Sequence, residues 1–378
     1  MLFIASFVFF GDCPMRKDNP AFVPDSPFAR PMTAEHMEFF RAILKTELHC
    51  HLLGTTQKST FEDLVKESGA PVSQEEIDGF FTRGDKPVGV LRIFRALEEH
   101  ILVKPSMLKR ITYEYLADCK KHGIRYTEFF WNYTGLARHY SYADAQAAII
   151  EGIHEGERDF GVIGRLIPSI DREDTPEAAV ELVREMIANR APETIGIGID
   201  YRENDHEPEN FWKAFFMAKE AGFKVTIHAG EFGCHWRNIE TAMKLLKADR
   251  LDHCYTIIDN PELVEEVKKA GLIITVVPTN SYYLRTFSDE EWALKQPIRK
   301  MVPMGLRVHP NTDDPTMHHV NATLTWMLMY NFLNFSLEDL KNFMINGIDG
   351  AWIDEATKEK WKIEWSAEFD RLAEKFPA

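Results

Sequence analysis

Four clusters of polar residues carry the chemical potential of this sequence. His49-Cys50-His51 places two imidazoles two residues apart, and His228-Ala229-Gly230-Glu231 joins an imidazole to a carboxylate. Asp252-His253 is a second such pair, and Asn311-Thr312-Asp313-Asp314-Pro315 offers two adjacent carboxylates. On a strand, residues i and i+2 face the same side, so both imidazoles of the first cluster can meet one ion. Three imidazoles and one carboxylate suit Zn²⁺, one per chain, with a position left for water. Zinc lowers the pKa of that water towards 7, and a neighbouring carboxylate or imidazole can move its proton. A second carboxylate can protonate a ring nitrogen and make the adjacent carbon more electrophilic. This is metal-assisted hydrolysis, in which hydroxide attacks an unsaturated carbon and a group such as ammonia leaves.

Each cluster alone has an ordinary explanation. A His-x-His pair arises readily by chance in a chain with 14 histidines. A single His228 would more often be a satisfied buried histidine than a ligand. Asp313-Asp314 ahead of a proline suits a turn or a cap, and Glu231 suits the first turn of a helix. The argument rests on convergence, and therefore on the elements that carry the clusters.

From Ala34 onward, short β-type runs alternate with longer amphipathic stretches. Eight strands are expected, at 46–51, 124–131, 162–170, 195–200, 224–228, 251–254, 272–277 and 306–309. Helical patterns lie between them, as at 175–189, 208–221 and 260–270, several opened by a cap such as Thr175-Pro176 or Asn260-Pro261 and closed by Gly222 or Gly271. This is the pattern of an α/β parallel (β/α)₈ TIM barrel. The clusters fall at C-terminal strand ends, the catalytic face of that architecture.

The stretch from about 55 to 122 is a helical insertion after the first strand, expected over the barrel mouth. Its Phe61, Leu64, Phe94 and Leu97 either roof a pocket or pack as ordinary core. Residues 337–378 read as two or more amphipathic helices closing the barrel's outside. The expected organisation is one zinc-dependent domain over 34–378 behind a tail, 1–33, that is extended or reflects an upstream start.

Composition bounds the partners. The chain has 378 residues, 45% of them hydrophobic, and a formal charge of −15 from 59 acidic and 44 basic residues. Such a balance disfavours nucleic acid. No uncharged run approaches the ~20 apolar residues of a membrane span. Five scattered cysteines read as free thiols, and a cytoplasmic location is expected. The apolar run 2–10 lacks a basic flank and a cleavage site, which leaves export as the minor alternative. Oligomeric state stays open.

At Glu47-Leu48-His49-Cys50-His51-Leu52-Leu53-Gly54, Thr226-Ile227-His228-Ala229-Gly230-Glu231, Asp252-His253-Cys254-Tyr255 and Asn311-Thr312-Asp313-Asp314-Pro315, the sequence resembles the adenosine/adenine deaminase family of the amidohydrolase superfamily. The resemblance implies a small-molecule purine substrate and hydrolytic deamination to the 6-oxo purine plus ammonia, as adenosine gives inosine. It implies His49, His51, His228 and Asp313 as zinc ligands, with Asp313 counted also among the catalytic groups. Glu231 would protonate purine N1, His253 would orient and help deprotonate the zinc-bound water, and Asp314 would meet N7.

Asp200, Glu203, Gly230 and Leu53 complete the candidate substrate contacts. Leu53 departs from the family. Adenosine deaminases carry Asp there to bind ribose, and adenine deaminases tend to carry Glu. The run Asp200-Tyr201-Arg202-Glu203 lacks the glycine of adenosine deaminases, and its spacing is more like the adenine-deaminase branch. These departures keep adenine, an N6-substituted adenine or another aminated heterocycle as alternative substrates. From other classes, a secreted growth-factor-like relative has only the apolar N-terminus in its favour. An inactive scaffold is opposed by the full ligand and acid/base set, which would be costly to bury unpaired.

Overall fold

The computed structural model describes residues 26–82 and 89–377. Part of the expected tail and part of the loop before Gly89 lie outside the described residues. Eight parallel strands follow one another in chain order: β1 (Lys45–Glu47), β2 (Ile124–Trp131), β3 (Ile163–Asp171), β4 (Gly196–Asp200), β5 (Lys224–Ala229), β6 (Arg250–His253), β7 (Ile273–Val276) and β8 (Arg307–Pro310). Helices connect them, and the architecture is the TIM barrel expected. β1 and β8 meet through a single parallel bridge, Cys50 to Asp313. There His51 N–H donates to Asp313 O at 2.9 Å, and Asp313 N–H donates to His49 O at 3.0 Å.

Most strand positions are as read from the sequence, but β1 is shorter than the expected 46–51. Its pairing with β2 slips between Lys45 and Thr46. Beyond Glu47 the chain pairs only through single bridges at Cys50 and His51. The caps behave as their residue types require. Thr175 accepts from Ala178 N–H, and Asn260 accepts from Glu262 and Leu263 N–H. Gly271 ends its helix at φ +68°. The pattern at 208–221 splits into a 3₁₀ turn, Pro208–Phe211, and a helix, Trp212–Glu220.

The insertion forms helices Lys58–Ser68, Gln74–Phe80 and Val90–Ala96 and a π-helical turn, Leu97–Ile101, before helix Pro105–Lys121 returns the chain to β2. Phe61, Leu64 and Leu97 are fully buried core, and only Phe94 of the four roof candidates reaches the cavity. Helices Leu337–Gly350 and Glu355–Ala373 complete the chain. Just before the second of these, Trp352 N–H donates to the buried Glu128 of β2, which is ion-paired with the buried Arg250 of β6. Among the described residues no helix is long and apolar enough to cross a membrane.

Candidate metal and catalytic site

At the C-terminal strand ends, His49 Nε2 and His51 Nε2 approach one oxygen, Asp313 Oδ1, at 3.3 and 3.2 Å. His228 Nε2 lies 3.3 Å from His51 Nε2. The four ligand atoms all fall within 4.8 Å of one another, and all four residues are buried. His49 Nε2 has no hydrogen-bond partner among the described residues. Three buried nitrogens and one carboxylate oxygen aimed at one point form the donor set of a zinc site, so the residues present fit the metal. The backbone is strained where the site is built. Tyr201, His253, Cys254 and Asp313 hold φ of +66°, +63°, +55° and +63° at the ends of β4, β6 and β8.

The far ring nitrogens face carboxylates. His51 Nδ1 is 3.2 Å from Asp200 Oδ2, and His228 Nδ1 is 3.3 Å from Asp252 Oδ2. His49 Nδ1 pairs with Thr275 Oγ1 at 2.9 Å and lies 3.5 Å from Asp252 Oδ1. Carboxylates placed this way favour the tautomer that leaves Nε2 free to meet a metal. Thr226 and Thr275 donate to the two oxygens of Asp252 at 2.7 and 2.6 Å. The cluster's electrostatics are split. Burial opposes charge on His49, but Asp252 and Asp313 outweigh it and push the ring up to about 9. Burial and the neighbouring His49 charge push His228 down to about 4. In effect the carboxylates call for a cation that the three rings cannot all supply as protons.

Beside this cluster stand three acid/base candidates. Glu231 receives Asn280 Nδ2 on Oε1 at 3.1 Å, and its Oε2 lies 3.6 Å from His253 Nε2. Burial and then the charges of Asp313 and Glu203 push its carboxyl well above the usual range, so it can hold a proton. Burial keeps His253 neutral, with Nδ1 against the Tyr255 hydroxyl at 3.2 Å. Asp314 is pushed up to about 8 by burial and Asp313. A protonated carboxyl can donate to an acceptor such as a ring nitrogen. Gly54 allows Asp314 its place, since a Cβ there would stand 2.2 Å from Asp314 Oδ1 and 2.7 Å from its Cα.

Glu231 and Asp314 open into a cavity of about 660 Å³. His51, Asp200, His228, Glu231, Asp313 and Asp314 line its polar part. Val90, Leu91 and Phe94 of the insertion, with Tyr201, Phe232 and Tyr282, line its apolar part. Of the sequence candidates, Asp200 lines the cavity while also facing His51. Leu53, Glu203 and Gly230 do not line it, and neither do His49 and His253, which are fully buried. Glu203 instead receives the N–H groups of Gly230 and Glu231. Thr275, Asn280 and His318 neighbour the site without having been singled out by residue type and spacing, and Asp252, though quoted, had been given no role. Asp252 had a visible signal, being next to His253 in a quoted cluster.

The family model described as adenosine deaminase matches residues 44–364. The adenosine deaminase of Clostridium perfringens is 26% identical over 329 residues, covering 84% of this chain and 97% of that one. The adenine deaminase of Chelativorans sp. is 28% identical over 327 residues, covering 84% and 96%. Among solved structures, an amidohydrolase of Burkholderia ambifaria with bound zinc superposes with a TM-score of 0.93 at 55% identity, covering 95% of this chain and 99% of that one. The adenine deaminase of Arthrobacter aurescens superposes with a TM-score of 0.78 at 23% identity, covering 87% and 100%.

Proposed function

The chain belongs to the adenosine deaminase family, and from that premise we propose which residues of this zinc-dependent hydrolase deaminate its aminopurine. The net reaction replaces the C6 amino group by oxygen from water and releases ammonia. His49, His51, His228 and Asp313 hold the metal. The observation that carries this assignment is the convergence of one ligand atom each from His49, His51, His228 and Asp313 within 4.8 Å, with His51, His228 and Asp313 lining the cavity that Glu231 and Asp314 also line. Zinc held there would supply Lewis acidity and would lower the pKa of a water at the site towards 7.

The chain's own groups do the rest. Glu231, kept protonated, donates to N1 and draws electron density from C6. His253, neutral and 3.6 Å from Glu231, accepts a hydrogen bond from the attacking water and takes its proton. Asp314 donates to N7 and fixes the plane of the ring. The proton His253 takes from water is returned to the departing amine, and the remaining hydroxyl proton, lost as C6 becomes a carbonyl, replaces the one Glu231 gives to N1. Asp200 and Asp252 hold the ligand imidazoles in the tautomer that leaves Nε2 free.

Adenosine is the lead substrate. Leu53 favours a second reading, in which adenine or an N6-substituted adenine is preferred. It is apolar, buried and outside the cavity lining, so it offers a sugar hydroxyl nothing. A panel of adenine, adenosine, N6-alkyl adenines and aminopterins, followed by ammonia release, separates the two. His228→Ala should abolish release whichever is preferred, while Cys234→Ala should retain it. Full activity after His49→Ala combined with His51→Ala would overturn the assignment.

A further inference from the structure

Glu203 lies off the cavity wall, yet its carboxylate is fully engaged beside the site. It is 2% exposed. Oε1 accepts from Gly230 N–H at 2.7 Å and from Asn238 Nδ2 at 2.8 Å, and Oε2 accepts from Glu231 N–H at 2.9 Å. Gly230 and Glu231 follow the last residue of β5, and the next helix begins only at Arg237. Two consecutive peptide N–H groups turned the same way, with Gly230 at φ +68°, form a small anion-binding nest. An internal carboxylate from the loop after β4 fills it. Left unfilled, two buried donors would each carry a desolvation cost.

We infer that Glu203 is a positioning residue: by receiving both N–H groups it fixes the Gly230–Glu231 peptide and so aims the Glu231 carboxyl at His253 and Asn280. The inference rests on the role given to Glu231 above. Glu231 has its own side-chain partners, Asn280 at 3.1 Å and His253 at 3.6 Å, but these act on the end of a flexible side chain. Glu203 acts on the backbone from which that chain departs. It also ties the loop after β4 to the turn after β5, and Asn238, from helix Arg237–Lys244, holds the carboxylate in place. A Cβ on Gly230 would meet Thr256 Oγ1 at 2.6 Å and Ile239 Cδ1 at 2.8 Å, so the peptide has little room elsewhere.

The test compares Glu203→Gln, Glu231→Gln and the double variant in the zinc-loaded enzyme, with adenine or adenosine as substrate. Glutamine keeps the shape but turns an NH₂ group towards one of the two N–H donors. Misplacing an acid by a fraction of an ångström to 1 Å lowers turnover by up to about 100-fold. Glu203→Gln should therefore lower kcat about 10- to 100-fold, with KM and zinc content unchanged. It should have no further effect in the Glu231→Gln background, because residues acting as a unit are not additive. Amide exchange at Gly230 and Glu231 should rise in the same variant, independently of turnover. Wild-type kcat in Glu203→Gln, or full additivity with Glu231→Gln, overturns the inference. Wild-type activity in Glu231→Gln alone overturns instead the role given to Glu231. Where Glu203→Gln fails to fold, Asn238→Ala decides: a several-fold loss of kcat at constant KM is expected, and an unchanged kcat overturns the inference.

Discussion

Asp252 serves two imidazoles with one carboxylate, its Oδ1 facing His49 and its Oδ2 facing His228. Asparagine would keep one acceptor and present one donor, forcing one ring into the wrong tautomer. Asp252→Asn should weaken zinc binding about 10- to 100-fold, measured by chelator competition, with the fold retained. Unchanged zinc affinity would remove Asp252 from the site. The four residues that converge on the candidate metal site were legible in the sequence as a group because their types and strand-end spacing are themselves the signal. Thr275 was not, and Asp252 was legible only as a neighbour of His253 and not as a partner of His49 and His228, because these contacts arise through register. His228 sits opposite Asp252 between β5 and β6, and Asp252 opposite Thr275 between β6 and β7. Which residue of one strand lies beside which residue of the next leaves no periodic trace in a single chain. Glu203 was legible as a site residue but not in its orientation, which depends on a turn 27 residues away.

The insertion is fastened to the barrel by a small charged knot. Arg95 pairs with Glu98 at 3.2 Å and with Asp171 of β3 at 2.6 Å, and lies over the Tyr201 ring at 4.3 Å. Tyr201 donates to Glu98 Oε1 at 2.7 Å. Burial pushes Glu98 up from 4.5 to about 7, against the pull of Tyr201 and Arg95. Between those two values the folded state binds more protons than the unfolded chain, so this group's contribution to stability falls as pH rises across that window. Glu98→Gln lacks the effect. The melting temperature of the wild type relative to Glu98→Gln should therefore be higher at pH 5 than at pH 8. An equal difference at the two values would show that the carboxyl titrates normally. The helices were legible by their caps, as at Thr175 and Asn260. The ends of β1 were not, because a strand of three residues followed by isolated bridges has no alternation to read.

At the scale of the whole molecule, the barrel closes where the proposed metal binds. The one bridge between the β1 and β8 chain segments among the described residues joins Cys50 to Asp313, between the proposed ligands His49 and His51 on one side and at the proposed ligand Asp313 on the other. Seven strand pairs have ladders of their own, whereas this eighth contact has two backbone-to-backbone hydrogen bonds, side-chain hydrogen bonds such as Leu48 N–H to Asn311 Oδ1 and Thr312 N–H to Glu47 Oε1, and the shared candidate ligand atoms. A zinc ion bound there would add bonds across the seam, and binding to the folded state alone stabilises by RT ln(1 + [L]/Kd). Free zinc at a thousand times Kd corresponds to about 4 kcal/mol. Removing the metal with a chelator should lower the melting temperature and restore it on adding zinc. The loss should be local before it is global. Amide exchange should rise first in 45–51 and 307–313, while β3 and β4, far round the sheet, keep their protection. A fall in melting temperature with uniform exchange would mean that zinc stabilises the fold without closing it. No fall at all would separate the metal from the seam, leaving the Cys50–Asp313 bridge, the side-chain hydrogen bonds of Glu47, Asn311 and His309 across it, and the packing of helix Leu337–Gly350 against β1, β7 and β8 to hold the barrel shut.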